Sequence, residues 1–292
     1  MKGKTNLFYH IIAIIVVSIW GVTFISTKVL INSGLSPQEI FFLRFIIAYI
    51  GMCFISHKRV FAKSWKDELL LMAGGMTGGS IYFLTENTAI AHTLVTNVSF
   101  IVCTTPLITT LLFILVDKDT HANRNIIIGS IISIIGMGAV VYNGSVILKL
   151  SPLGDFLALS AAISWAFYSL IMKKMFHKYD TNFITRKIFF YGLLTIVPIF
   201  IFQPNNIQLS VILEPKVLYN LLFLGVIASL ACYAIWNVVL KHIGTMKATN
   251  YIYLNPLSTL LGSFLFLDEP FTLMAFAGAL LIISGMYIAA KR

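Results

Sequence analysis

Glu86 lies in the stretch Tyr82-Phe83-Leu84-Thr85-Glu86-Asn87-Thr88-Ala89, well inside an apolar run. A carboxylate that met lipid there would cost several kcal/mol, so it must face protein or water. Two uses fit. It binds a substrate ammonium or takes up a coupling proton, or it pairs with Arg44 or Lys28, at similar depth, and pins helices together. Both hold at once if substrate breaks the pair, which makes Lys28, Arg44 and Glu86 a candidate gate. Arg44 stays charged and matches carboxylates through two parallel hydrogen bonds. It therefore holds a substrate carboxylate, or it snorkels to the interface.

Around these charges stand neutral polar groups. Asn87, Asn97, Asn237 and Asn255 are the best hydrogen-bonding candidates, on stretches that also carry Thr104, Thr105, Thr109, Ser258 and Thr259. Their plainer use is bonding between helices. Pro106 and Pro256 each break a helix and free a backbone carbonyl near mid-membrane. Aromatic residues follow the same stretches: Trp20, Phe24, Tyr82, Phe100, Trp165, Tyr168, Trp236, Tyr251 and Tyr253. They form a box for an apolar side chain or serve as ordinary packing. Trp20 and Trp165 are the two favoured for the box.

Other chemistry is not written here. The sequence has no GxSxG, HExxH, P-loop or phosphate-cradling GxGxxG. Cys53, Cys103 and Cys232 lie in apolar runs without CxxC spacing, as small buried hydrophobes do. No metal site and no cofactor is expected.

The elements that must hold these residues are membrane helices. Of 292 residues 58% are apolar and 11% charged, with a mean hydropathy of +0.90. That excludes a disordered chain and an ordinary soluble core. The net charge of +10 comes from short loops and calls for no nucleic-acid partner. At about 20 residues per crossing, ten spans are predicted: 8–31, 38–56, 69–91, 94–116, 125–143, 153–176, 184–203, 217–240, 247–267 and 270–290. Spans 3–4 and 8–9 must be tight hairpins. With the N-terminus inside, 17 of 21 basic residues fall on the inner side; only Lys28, Arg44, Lys149 and Lys216 fall outside. That asymmetry predicts both termini in the cytoplasm.

The two halves resemble each other. A shift of 150 residues puts Asn87 on Asn237, His92 on His242 and Pro106 on Pro256. A shift of 145 puts Trp20 on Trp165 and Lys28 on Lys173, and one of 149 puts Gly129 on Gly278 and Gly136 on Gly285. Five spans per copy is an odd number, so the second copy is inserted upside down, a transporter architecture. The predicted fold is all-α, ten transmembrane helices as two inverted five-helix repeats, residues 1–146 and 147–292. Gly74, Gly75, Gly78 and Gly79 mark close helix approach in span 3. The glycine faces of spans 5 and 10 suit helix packing or a homodimer contact.

Here the chain resembles a family. The five-plus-five spans, Trp20-Gly21-x-x-Phe24, the Tyr82–Ala89 stretch, Pro106, Pro256 and Asp268-Glu269-Pro270 are similar to two EamA repeats, a branch of the drug/metabolite transporters. The resemblance spans the chain. It implies export of a small metabolite, such as an amino acid or derivative, through the bacterial inner membrane.

The expected function is therefore alternating access around a midplane site lined by spans 1–4 and 6–9, with spans 5 and 10 peripheral. Partners are the lipid bilayer, a small-molecule substrate and, in one reading, protons. The alternatives are an intramembrane enzyme acting on lipid and a scaffold without transport.

Overall fold

The computed structural model describes residues 2–57, 59–116, 124–142, 151–202, 208–267 and 272–290. Residues 117–123, between the fourth and fifth expected spans, lie outside them, as do Asp268-Glu269-Pro270 and the boundary between the halves. All secondary structure among the described residues is helical. The first half holds α1 (Lys2–Asn32), α2 (Pro37–Ile55), α3 (Trp65–Gly75), α4 (Ile81–His92), α5 (Val95–Val102), α6 (Thr105–Val116) and α7 (Arg124–Tyr142). The second holds α8 (Pro152–Met175), α9 (Thr181–Phe202), α10 (Leu209–Ile212), α11 (Pro215–Leu222), α12 (Cys232–Ile243), α13 (Thr245–Thr249), α14 (Asn255–Leu267) and α15 (Leu273–Ala290). Six helical stretches are long and apolar enough to cross a bilayer, and two more, Arg124–Ala139 and Phe276–Ala289, are shorter but apolar. Ser36 and Glu39 form a capping box at the start of α2, and Ser64 and Ser151 cap α3 and α8. Short connections follow α4 after His92 and α12 after Ile243; Gly244 takes φ +86°, a left-handed value that favours glycine.

Two features break the helices in matching places. Wide π turns join α3 to α4 (Met76–Ser80) and α11 to α12 (Phe223–Ala231). Such turns shift the backbone hydrogen-bond pattern and expose carbonyls. Donors from the other half take them up. Tyr233 Oη donates to the Gly78 carbonyl at 2.6 Å and Ser164 Oγ to that of Thr77 at 2.7 Å. In return, Trp20 Nε1 donates to the Ala228 carbonyl at 3.0 Å. Gly78 has to be glycine, since a Cβ there would stand 2.4 Å from the Tyr168 ring.

The second break precedes each expected proline. The helix stops between Val102 and Thr105, and a 3-10 turn, Asn250–Leu254, precedes Asn255 and Pro256. A proline removes the donor for the carbonyl four residues earlier. For Pro106 that is Val102, whose carbonyl accepts from Thr105 Oγ1 at 2.6 Å. For Pro256 it is Ile252, whose carbonyl accepts from Cys103 Sγ at 3.2 Å. The freed carbonyls are thus already used within the bundle.

α1 packs on α12 and α14, and α8 packs on α4 and α6. α2 lies against α9 and the π turn at 223–231, while α3 and the π turn at 76–80 lie against α9. α7 and α15 pair with each other. A Cβ on Gly129 would stand 2.4 Å from the Gly285 carbonyl oxygen, and one on Gly136 2.7 Å from that of Gly278. The two glycine faces therefore cover one another within the chain. This is the helix-packing use of the two that the sequence offered.

The basic hairpins around Arg59 and Lys178 meet at one end of the bundle. Lys178 Nζ donates to Asp67 Oδ1 at 2.6 Å and Tyr179 Oη to Asp67 Oδ2 at 2.8 Å. Lys187 pairs with Glu68, and Arg186 donates to the carbonyls of Ser56 and Arg59. The Lys178 and Tyr179 donors hold the Asp67 carboxyl below its usual range. A lowered folded-state pKa gives stability that is complete above the unfolded value, near pH ~4. It is lost as pH falls through the folded value. Asp67→Asn is therefore expected to lower the unfolding temperature at pH 7 and to flatten the loss of stability below pH ~4. Thermal melts of the purified protein across pH check this; an unaltered acid limb counts against the contact.

Candidate substrate-binding site

A buried cavity lies where the broken helices cross. α1 brings Trp20, Thr23 and Phe24; α2 brings Arg44; α4 brings Tyr82, Phe83 and Glu86. Trp165 comes from α8, and the two helix breaks add Val102, Thr105, Ile252 and Asn255. Its free volume is only ≈ 30 Å³, room for a water or two. A metabolite fits only after the helices part.

The two charges face this space at 2% and 5% exposure for Arg44 and Glu86, so neither meets lipid or bulk water. Arg44 is held on two sides. Its Nε donates to Ser229 Oγ in the second π turn at 2.9 Å, and its guanidinium lies 4.2 Å from the centre of the Phe83 ring. Its Nη1 has no partner in the protein. Glu86 Oε1 accepts from Tyr82 Oη at 2.6 Å, one turn back along α4. Among the described residues Arg44 and Glu86 form no direct ion pair, although they line the same cavity. Lys28 reaches neither; its Nζ donates to the Ile90 carbonyl at 2.9 Å.

Aromatic rings wall the rest. Trp20 and Trp165 meet edge to face at 5.5 Å, and Tyr82 lies 4.8 Å from Trp165. Trp165 Nε1 and Asn255 Oδ1 have no protein partner either. The cavity thus presents a cationic donor, a carboxylate, a neutral donor and a neutral acceptor against aromatic faces.

Of the residues singled out in the sequence, Glu86, Arg44, Trp20, Phe24, Tyr82, Thr105, Trp165 and Asn255 line this cavity. The others stand elsewhere. Asn87 Nδ2 donates to the Pro37 carbonyl at 3.1 Å and ties α4 to the start of α2. Asn237 accepts from Tyr168 Oη at 2.5 Å and donates to Thr185 Oγ1 at 2.9 Å. Trp236 is fully buried behind Trp20, with ring centres 5.2 Å apart. Tyr251 hydrogen-bonds His10 at 2.6 Å, Asn97 lies near Thr93, and Phe100 packs on the main core. Sequence reasoning passed over Phe83 and Ser229, the two groups that orient Arg44. Phe83 gave a signal as the neighbour of Tyr82; Ser229 gave none, since its π turn cannot be read from composition.

A family model, the EamA-like transporter family, matches residues 7–142 and again 152–290. The chain belongs to that family. An uncharacterized transporter of Archaeoglobus fulgidus is 26% identical over 296 residues, covering 100% of this chain and 99% of that protein. A "probable amino-acid metabolite efflux pump" of Escherichia coli K12 is 24% identical over 285 residues, covering 95% and 93%. One solved crystal structure superposes on 98% of this chain and 96% of its own with a TM-score of 0.74, at 14% identity. That likeness bears on the fold alone. The EamA-like chain is thus a multi-pass membrane transporter of small molecules, its two family matches covering the halves that the sequence offsets had paired.

Proposed function

We propose that this EamA-like transporter exports an amino acid or close derivative by alternating access, and that the Arg44–Glu86 cavity is its substrate site. The observation that carries the reading is the placement of a guanidinium and a carboxylate, both buried and not paired with each other, on one small aromatic cavity. A zwitterion complements both. Its carboxylate takes the spare Arg44 Nη1 and its ammonium takes Glu86, where charge-assisted bonds are strong because water is excluded. Its side chain lies against Trp20 and Trp165. The efflux-pump name of the Escherichia coli relative supports the substrate class and the outward direction.

Ten spans as two inverted repeats supply the motion. The packing supports that arrangement, since α1 on α12 and α14 answers α8 on α4 and α6. So do the paired π turns and the paired breaks before Pro106 and Pro256. Two similar halves of opposite sense exchange conformations and move a central site from one face to the other. In this reading the chain spans the bacterial inner membrane with both termini inside, and Glu86 is the group able to carry a coupling proton.

Counterflow in proteoliposomes tests it. Proteoliposomes preloaded with unlabelled amino acids should draw in labelled ones of the same kind. N-acetylation, which removes the ammonium, and amidation, which removes the carboxylate, should each abolish exchange. Exchange of both blocked analogues at the parent rate would sink the zwitterion reading.

A further inference from the structure

The central cavity has a larger neighbour along the same pair of helices, with a free volume of ≈ 460 Å³ against ≈ 30 Å³ at the centre. Its wall carries Lys173, His177, Lys241 and Lys247 beside apolar rings such as Phe113 and Phe176, and no acidic side chain. Lys173 is engaged by the Phe113 ring, whose centre is 4.9 Å from its Nζ. Lys241 and Lys247 take part in no ion pair among the described residues. Two helices line both cavities. α8 gives Trp165 to the centre and Lys173, eight residues on, to the larger space; α6 gives Thr105 to the centre and Phe113, again eight residues on. Eight residues of helix advance about 12 Å. Halfway along stand Ser169 and Thr109, which the four-residue repeat puts on the same helix faces. Both are fully buried, and neither hydroxyl has a partner. A hydroxyl left in that state costs stability, which alanine or valine would avoid.

We propose that the larger cavity is an antechamber that takes the carboxylate of the amino acid before it reaches Arg44, and that the seam at Ser169 and Thr109 is the closed passage between the two. Lys241 and Lys247 set up a positive potential in a recess with apolar walls, which gathers anions at the mouth. The amino acid meets lysine charge first, while its ammonium stays in water, and gains Glu86 only at the centre. Hydroxyls suit the passage because each one donates and accepts, and so serves either end of a zwitterion in turn. With the helices closed they have nothing to bond. Lys173 precedes Lys178 by five residues, so the antechamber lies toward the end of the bundle where the basic hairpins meet. That is the end which the distribution of basic residues favours for the cytoplasm, and an exporter loads from there. The inference rests on the amino-acid export reading above.

Thiol labelling and counterflow of the full-length protein in phosphatidylcholine vesicles test it. The native cysteines are replaced by serine, and Thr245→Cys, on the antechamber wall, is the reporter. Two membrane-impermeant thiosulfonates of similar size, one anionic and one cationic, are applied from each face in turn. From one face the anionic probe should react about tenfold faster, and Lys241→Gln with Lys247→Gln should bring the two rates together. An amino acid should slow the labelling, and its amide, which lacks the carboxylate, should not. Thr109→Val keeps the shape and drops the hydroxyl. It should slow counterflow about fivefold while the protein melts at the same temperature or higher, whereas a merely structural hydroxyl would leave counterflow alone. Ser169→Ala repeats the test from the facing helix. Equal rates for the two probes, or equal protection by the amide, overturns the antechamber. Labelling that phosphatidylglycerol suppresses and amino acids do not gives the cavity to a lipid phosphate and overturns it too. Parent counterflow in both Thr109→Val and Ser169→Ala overturns the passage. Amino-acid counterflow by the parent alongside any of these failures leaves the transport reading intact. Charge-selective labelling with protection by an amino acid, but no counterflow of any amino acid, keeps the antechamber and removes the export reading.

Discussion

Glu86→Gln is expected to cut exchange of a zwitterionic substrate by about 10- to 100-fold at subsaturating concentration, the range of one lost hydrogen bond to a charged group. The amide keeps an oxygen for Tyr82 Oη, which Glu86 now accepts at 2.6 Å, so the local packing has no reason to change. Only the charge and the capacity to bind a proton disappear. Counterflow at several pH values separates the two duties. A weaker apparent affinity with the parent's pH profile assigns Glu86 to the substrate ammonium. A flat profile adds the coupling proton. Unchanged exchange and an unchanged profile would strip the residue of both. Arg44 offers no equally clean variant. It also anchors α2 to the second π turn through Ser229 and packs on Phe83, so its removal mixes binding with structure.

The second large effect concerns folding. Gly129→Leu should leave little folded protein, and Gly129→Ala should cost about 1–3 kcal/mol as overpacking does. The reason is what a Cβ would meet. Its nearest neighbours are the Gly285 carbonyl oxygen at 2.4 Å and the Ala289 amide nitrogen at 2.6 Å. Both are backbone, so no side chain can turn aside. The α7–α15 pair would have to separate. Neither helix lines the central cavity, so surviving Gly129→Ala protein should exchange substrate with the parent's apparent affinity. Gly138→Ala is the control, since a Cβ there meets nothing within 4 Å. Thermal unfolding and size-exclusion profiles check the series. Equal stability of Gly129→Ala and Gly138→Ala would refute the packing.

Much of this architecture is legible in the sequence because lipid enforces it. Long apolar runs had to become helices, since backbone groups in hydrocarbon can only pair within a segment. The breaks before Pro106 and Pro256 followed from the missing proline N–H. The glycine faces on α7 and α15 were visible too, but not their partner. Glycine spacing says that something comes close and not which chain supplies it. Trp20, Tyr82, Glu86, Trp165 and Asn255, singled out from the sequence, line the central cavity, while Asn87 lies off it. Successive helix residues point about 100° apart, so Asn87 turns away from the space that Glu86 enters and reaches Pro37 instead. Asn237, Tyr168 and Trp236 sit one layer behind, where rotation of neighbouring helices decides. The π turns left no mark on composition. Their carbonyls find donors in the distant half, and no local pattern records that.

The contact between Cys103 and Ile252 has a practical consequence for anyone who labels this transporter. That thiol donates, beside the Asn255 amide, to the backbone oxygen that Pro256 leaves without its α-helical partner. A cysteine-free background made with alanine would leave that oxygen with the Asn255 amide alone and remove its side-chain donor at the heart of the molecule. Cys103→Ser retains a hydroxyl in the same place, so it is the replacement on which accessibility maps should be built.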